Sequence, residues 1–215
     1  MPRHTPNLRP SNLKSVSQAL KEGGVALLPT ETVYGLAADG QNADAVNALY
    51  AVKGRGFDKP IALCVSSIKA AQKLVHWTDS ADTLARHFWP GPLSLILRVK
   101  DHLNLDERLL GRAPTGEKTL SLRCPDIGWR DKLGIDFLAL TSANKSGQSD
   151  TTDFNTAYNI FGADIAAAYE GAPSEHGKPS TIIAIDNETE RLTCLRWGAL
   201  GPDDFAPLAL DWTEL

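Results

Sequence analysis

Apolar residues at Leu13, Val16 and Leu20 recur at spacings of three and four, which predicts a helix from a Ser11 cap to Gly23-Gly24. Val25-Ala26-Leu27-Leu28 reads as a short buried strand ended by Pro29. A polar turn, Thr30-Glu31-Thr32, leads into Val33-Tyr34-Gly35-Leu36. A second helix, capped by Asn42 or Asp44, turns Val46 and Leu49 inward and ends at Lys53-Gly54-Arg55-Gly56. Ile61 to Val65, Leu93 to Val99, Thr119 to Arg123 and Phe137 to Thr141 read as strands. Ser67 to Val75, Ala81 to Trp89 and the face Phe154, Ala157, Tyr158, Phe161 read as helices. Residues 100–118 are polar and Gly-containing, which predicts a surface loop. Ser180 to Ile185 and Arg191 to Arg196 read as a strand pair around an Asn187–Glu190 turn.

Interleaved strands and helices with irregular, partly hairpin-like connections predict a mixed α/β sheet in one domain. Residues 1–12 read as an N-terminal arm, 13–200 as the domain and 201–215 as a short C-terminal tail. At 215 residues, 42% hydrophobic, the chain is long enough to bury a sizeable core. Its apolar runs, VALLP and LSLIL among them, are too short to span a bilayer, and MPRHTPNLRPSNLK carries no apolar signal region. Cys64, Cys124 and Cys194 are widely spaced and odd in number, which fits a reducing compartment and predicts a cytoplasmic protein. The net charge of -4 argues against a broad nucleic-acid-binding face, so its cations act locally.

No phosphate-loop, dinucleotide, nucleophile-elbow or HExxH pattern is present, and the five histidines lack metal-ligand spacing. Three clusters remain. Pro29 to Leu36 offers hydroxyls and turn backbone to a small polar ligand. Lys53 and Arg55 flank a glycine at a helix end, where cations bind an anion or simply complement the helix dipole. Ser142 and Asn144 follow a buried strand, where α/β proteins place ligands and where capping turns also occur.

Together, the stretches PTETVYGLAADG…LYAVKGRGFDKPIALCV, TLSLRCPD, LALTSANKSGQ, KPSTIIAID and LRWGAL resemble the YrdC-like (TsaC) family over roughly residues 13–200. The resemblance implies a twisted, mostly parallel α/β sheet with helices around a concave basic cavity. It also implies an L-threonylcarbamoyladenylate synthase, a nucleotidyltransferase using ATP, L-threonine and bicarbonate for tRNA modification. Lys53, Arg55, Ser142 and Asn144 are the implied catalytic set, and Thr30, Thr32, Cys64, Arg123 and Ser180 the threonine site. Lys53, Arg55, Lys59, Thr119, Ser142, Ala143, Asn144, Thr151 and Arg196 are the implied ATP site. Mg²⁺ is expected with ATP, held by phosphates and water and not by a carboxylate cage. Partners implied are the tRNA threonylcarbamoyl-transfer proteins and tRNA itself, with no membrane. Residues 100–118 or 145–152 are candidate lids. Family members often carry Asn where Lys59 stands and His where Cys64 stands. Competing readings are a YciO-type paralogue, a carbamoyl-adenylate enzyme of hydrogenase maturation and a non-catalytic RNA-binding module.

Overall fold

A computed structural model describes residues 10–145, 147–172 and 174–213. Most of the predicted N-terminal arm, residues 1–9, lies outside them. In chain order the elements are α1 (Leu13–Lys21), β1 (Ala26–Leu28), β2 (Gly35–Asp39), α2 (Ala43–Lys53), β3 (Ala62–Cys64), α3 (Ile68–Gln72), α4 (Asp79–Phe88) and β4 (Leu93–Arg98). Then follow β5 (Leu110–Arg112), β6 (Lys118–Arg123), β7 (Leu138–Ser142), α5 (Phe154–Phe161), β8 (Ala167–Ala168), β9 (Thr181–Ile185), β10 (Leu192–Arg196) and α6 (Pro202–Phe205). Short 3₁₀ turns cover Glu107–Leu109, Arg130–Leu133 and Ala206–Leu208.

Local chemistry explains most boundaries. Asn12, not Ser11, caps α1, its Oδ1 accepting the Ser15 N–H at 2.9 Å. Asn42, Ser67, Thr78 and Asp153 cap α2 to α5 in the same way. Gly54 closes α2 in the left-handed region, φ 63°, a conformation cheap only for glycine.

The strands form one sheet in the order β10-β9-β4-β6-β3-β7-β2-β1-β8, with β5 on the side of β6. β1–β2, β2–β7, β3–β7, β4–β6, β5–β6 and β9–β10 pair antiparallel. β1–β8, β3–β6 and β4–β9 pair parallel. The sheet is therefore mixed, and mostly antiparallel where the resemblance implied mostly parallel. The turns joining β1 to β2 and β9 to β10 are too short for the crossover that a parallel pair needs.

Side chains alternate across this sheet and sort its two faces. Leu27, Leu36, Leu63, Leu95, Leu122 and Ala139 belong to the larger core, under α2 to α5. Their neighbours Ala26, Leu28, Ala37, Cys64, Leu138 and Leu140 belong to a smaller core with α1 and the 3₁₀ turn at Arg130–Leu133. The smaller face is covered at one end only.

One further expectation changes. The stretch 100–118 contains a 3₁₀ turn and β5, because Leu109 is fully buried and Leu110 to Arg112 pair with β6. The segment beyond residue 200 packs onto the body. Phe205 is 2% exposed, with ring centroids of Phe88, Trp197 and Trp212 at 4.6, 5.7 and 5.6 Å. No helix among the described residues is long and apolar enough to cross a membrane.

Candidate active site

The uncovered end of the smaller face is a cavity of about 750 Å³, counting the solvent at its mouth. Strand alternation supplies its floor. Ser94 stands between Leu93 and Leu95 of β4, and Ser121 and Arg123 flank Leu122 of β6, so the leucines enter the core while the polar residues face the cavity. Ala62 and Cys64 of β3, and Leu140 and Ser142 of β7, complete that floor. The Thr30–Gly35 turn, the Arg55 loop and the Ser180–Arg196 edge form the rim. No described lining residue is a carboxylate.

Three guanidinium groups line the cavity, and each is fastened along one edge. Arg55 donates from Nε to the Lys59 carbonyl at 2.7 Å and from Nη2 to the Pro60 carbonyl at 3.1 Å. Arg196 donates from Nε and Nη2 to the Ser180 carbonyl at 3.1 and 2.7 Å. Arg123 donates from Nε to the Gly91 carbonyl at 3.3 Å, and from Nη2 to Glu31 Oε1 at 2.6 Å and Thr32 Oγ1 at 3.1 Å. In all three, Nη1 has no protein partner among the described residues. The paired donors on Nη1 are thus free for an anion. Burial holds Arg196 below its usual range, offset in part by Asp150, while Arg123 and Arg55 add to the depression. Arg55 is depressed chiefly by burial.

A hydroxyl chain sets the Arg123 end. The Thr30 hydroxyl donates to the Val33 carbonyl at 2.6 Å, which spends its one proton. Thr32 therefore donates to Thr30 across 2.8 Å, while accepting from Arg123. On the opposite rim Ser94 and Ser180 share a bond of 3.0 Å. A β-bulge between Cys194 and Arg196 redirects β10. Gly198 then crosses so near that a Cβ would lie 2.1 Å from the Pro179 carbonyl, so glycine lets that strand close on Ser180.

The sequence-predicted residues separate into three groups. Thr30, Thr32, Arg55, Cys64, Arg123, Ser142, Ser180 and Arg196 line the cavity. Lys53, Ala143 and Asn144 lie behind its wall. Lys53 is 2% exposed and donates from Nζ to the Ser142 carbonyl at 2.5 Å, to Ser142 Oγ at 3.4 Å and to Asn144 Oδ1. Its three donors are spent on the loop. Asn144 Oδ1 also accepts from Ser142 Oγ at 2.6 Å, and the Ala143 N–H donates to the Tyr34 carbonyl at 2.7 Å. Burial, with Arg55 behind it and Asp150 opposing, brings the Lys53 pKa down to about 8. Lys59, Thr119 and Thr151 lie outside the cavity wall. Lys59 is exposed; Thr119 shares a strand face with Arg123 but sits two alternations away; Thr151 caps Asp153 with its hydroxyl. Among the described residues no cluster of histidine, cysteine or carboxylate side chains is arranged to hold a metal.

Sequence reasoning missed Ser94, Ser121 and Glu31. The signal for the two serines was present, a single serine between leucines in strands whose other face is core.

Comparison with known proteins agrees with this architecture. The Sua5_yciO_yrdC family model, described as telomere recombination, matches residues 18–198. A putative threonylcarbamoyl-AMP synthase of Mycobacterium leprae is 35% identical over 190 residues, covering 87% of this chain and 84% of that one. A threonylcarbamoyl-AMP synthase of Bacillus subtilis is 34% identical over 83% of this chain, which spans 52% of it. The crystal structure of P. abyssi Sua5 complexed with L-threonine superposes with a TM-score of 0.82 at 26% identity, over 94% of this chain and 58% of that one. This chain thus spans only about half to three fifths of those two longer proteins. The chain belongs to the Sua5/YciO/YrdC family.

Proposed function

We propose that the chain is an L-threonylcarbamoyladenylate synthase. In this reading the threonine amine bonds to the bicarbonate carbon with loss of water, and an oxygen of the resulting carbamate then bonds to the α-phosphorus of ATP. The bond from that phosphorus to the bridging β-phosphate oxygen breaks and pyrophosphate leaves. The observation that carries it is the convergence of three partner-free Nη1 amino groups and several hydroxyls on one cavity without a carboxylate wall. Relatives named threonylcarbamoyl-AMP synthase support the choice of substrates.

The reaction places charge on phosphates and a carbamate, so fixed donors and orientation serve it better than a covalent nucleophile. Arg55 and Arg196 hold the phosphates and Arg123 the threonine carboxylate. Thr32 and Ser180 orient the amino acid, and the Ser142 hydroxyl, its proton given to Asn144, accepts from the nucleotide. Lys53 and Asn144 position Ser142. Mg²⁺ enters as part of its complex with ATP. Delivery of the product to tRNA-modifying partners in the cytosol completes the reading.

The test is pyrophosphate release by the purified chain given ATP, threonine and bicarbonate. Release that requires threonine and bicarbonate is expected. Release indifferent to amino acid, or RNA binding with no turnover, overturns the reading. Arg55→Ala is expected to lower turnover at least about tenfold, some 1.4 kcal/mol in the barrier.

A further inference from the structure

We infer that Glu31 is a specificity residue which sorts the two substrates within the cavity, by neutralising one of its three arginines. The inference rests on the proposed function.

The three arginines differ in one respect. Arg55 and Arg196 are fastened by carbonyl oxygens, with the Ser180 hydroxyl as a further acceptor for Arg196, so their charges stand uncompensated by bonded carboxylates. Arg123 is fastened by a carboxylate. Its Nη2 is 2.6 Å from Glu31 Oε1, and both side chains are more than nine-tenths buried. Glu31 is itself held, its Oε1 accepting the Asp126 N–H at 3.1 Å. Its second oxygen, Oε2, is buried with no partner among the described residues, so no donor beyond Arg123 and the Asp126 N–H shares the carboxylate charge there.

One end of the cavity thus carries a buried ion pair, and the other two guanidinium charges bonded to no carboxylate, on which Asp150 and Asp58 act only through space. Attraction for a polyphosphate follows net charge and acts over several ångströms, whereas a hydrogen bond from Nη1 acts at contact. A triphosphate is drawn to Arg55 and Arg196. The Arg123 end keeps two directed donors for a carboxylate while offering little to a polyanion, and the Glu31 charge favours the adjacent ammonium of an α-amino acid. Glu31 need not touch either substrate. It acts through Arg123.

The experiment is direct binding of L-threonine and of inorganic pyrophosphate to the full chain, alone and together, by calorimetry. In the native protein the two ligands are expected to bind simultaneously. Glu31→Gln keeps the shape and removes the charge. It is expected to weaken threonine roughly tenfold, tighten pyrophosphate several-fold and make the two compete. Glu31→Asp keeps the charge but retracts it, and is expected to weaken threonine while leaving pyrophosphate unchanged.

A Glu31→Gln protein that loses affinity for both ligands alike would mean that Glu31 only shapes the turn, and one that changes neither would dismiss it altogether. Should Glu31→Gln not fold, Glu31→Asp decides alone, since tighter pyrophosphate binding there contradicts the sorting. Native protein that binds no threonine would overturn the functional reading and the sorting with it. Native protein that binds threonine, with variants lacking the opposed shifts, overturns the sorting alone.

Discussion

The two faces of the central sheet are made from the same strands and do opposite things. On β4 and β6 the residues Leu95 and Leu122 are fully buried under helices, while Ser94 and Arg123, each one position away, face the cavity. The difference lies in cover. The larger face is closed by α2 to α5, whereas α1 and the Arg130–Leu133 turn reach only one end of the smaller face. Where cover stops, a strand can exchange its second apolar stripe for hydroxyls and guanidinium groups without leaving them unsatisfied. Stability and chemistry are thereby separated by one residue of register.

The sharpest way to break this separation is on the covered face. Leu95→Ala is expected to lower unfolding free energy by about 2–5 kcal/mol, read from urea denaturation, through lost burial and the residual cavity. Turnover per folded molecule should change little. Loss of activity at unchanged stability would show that the two faces are not independent.

Lys53 tests the wall between them. Its pKa falls from 10.5 to about 8 because burial opposes the charge. Below pH 8 both folded and unfolded chains are protonated, and the folded one bears the cost. Between pH 8 and 10.5 the folded protein releases the proton first, so stability rises with pH. Compared with Lys53→Met, native protein should gain about 2–3 kcal/mol from pH 8 to pH 10. A flat difference would place the amine in solvent. Ser94→Ala, by contrast, should cost about 1 kcal/mol or less in stability. Its expected signature is a several-fold rise in KM for threonine through release of Ser180.

Much of this was legible in the chain. The Asn42 cap, the apolar periodicity and the hairpin around Asn187–Glu190 follow from local rules, and the structure has them, although α1 is capped by Asn12 and not by Ser11. β5 and β8 were not legible. Leu110 to Arg112 and the two-residue Ala167–Ala168 form strands only because β6 and β1 offer them hydrogen-bonding edges. The orientation of Lys53 was equally hidden. Spacing puts Lys53 and Arg55 together, but the acceptors that turn Lys53 away from the cavity arrive from residues 142 and 144, far along the chain. Ser94 and Ser121 were hidden for the opposite reason: the pattern was visible, but only the missing cover gives it meaning.

The smallest expected effect concerns the cysteines. Cys64 lines the cavity beside Arg123, and a nearby cation ordinarily favours a thiolate. Burial opposes it and wins, pushing the Cys64 thiol up to about 12 and Cys124, on the other face, up to about 11. Cys194 is half-buried on the edge strand, and burial raises its thiol as well. Iodoacetamide at pH 8 is therefore expected to label Cys194 first, with Cys64 and Cys124 reacting only after urea is added. Mass spectrometry of the peptides reads the order. If Cys64 reacted as readily as Cys194, the positive charges of Arg123 and Arg130 would outweigh desolvation at the cavity floor. The uncovered face would then be more strongly cationic at that position than the Glu31–Arg123 pairing allows.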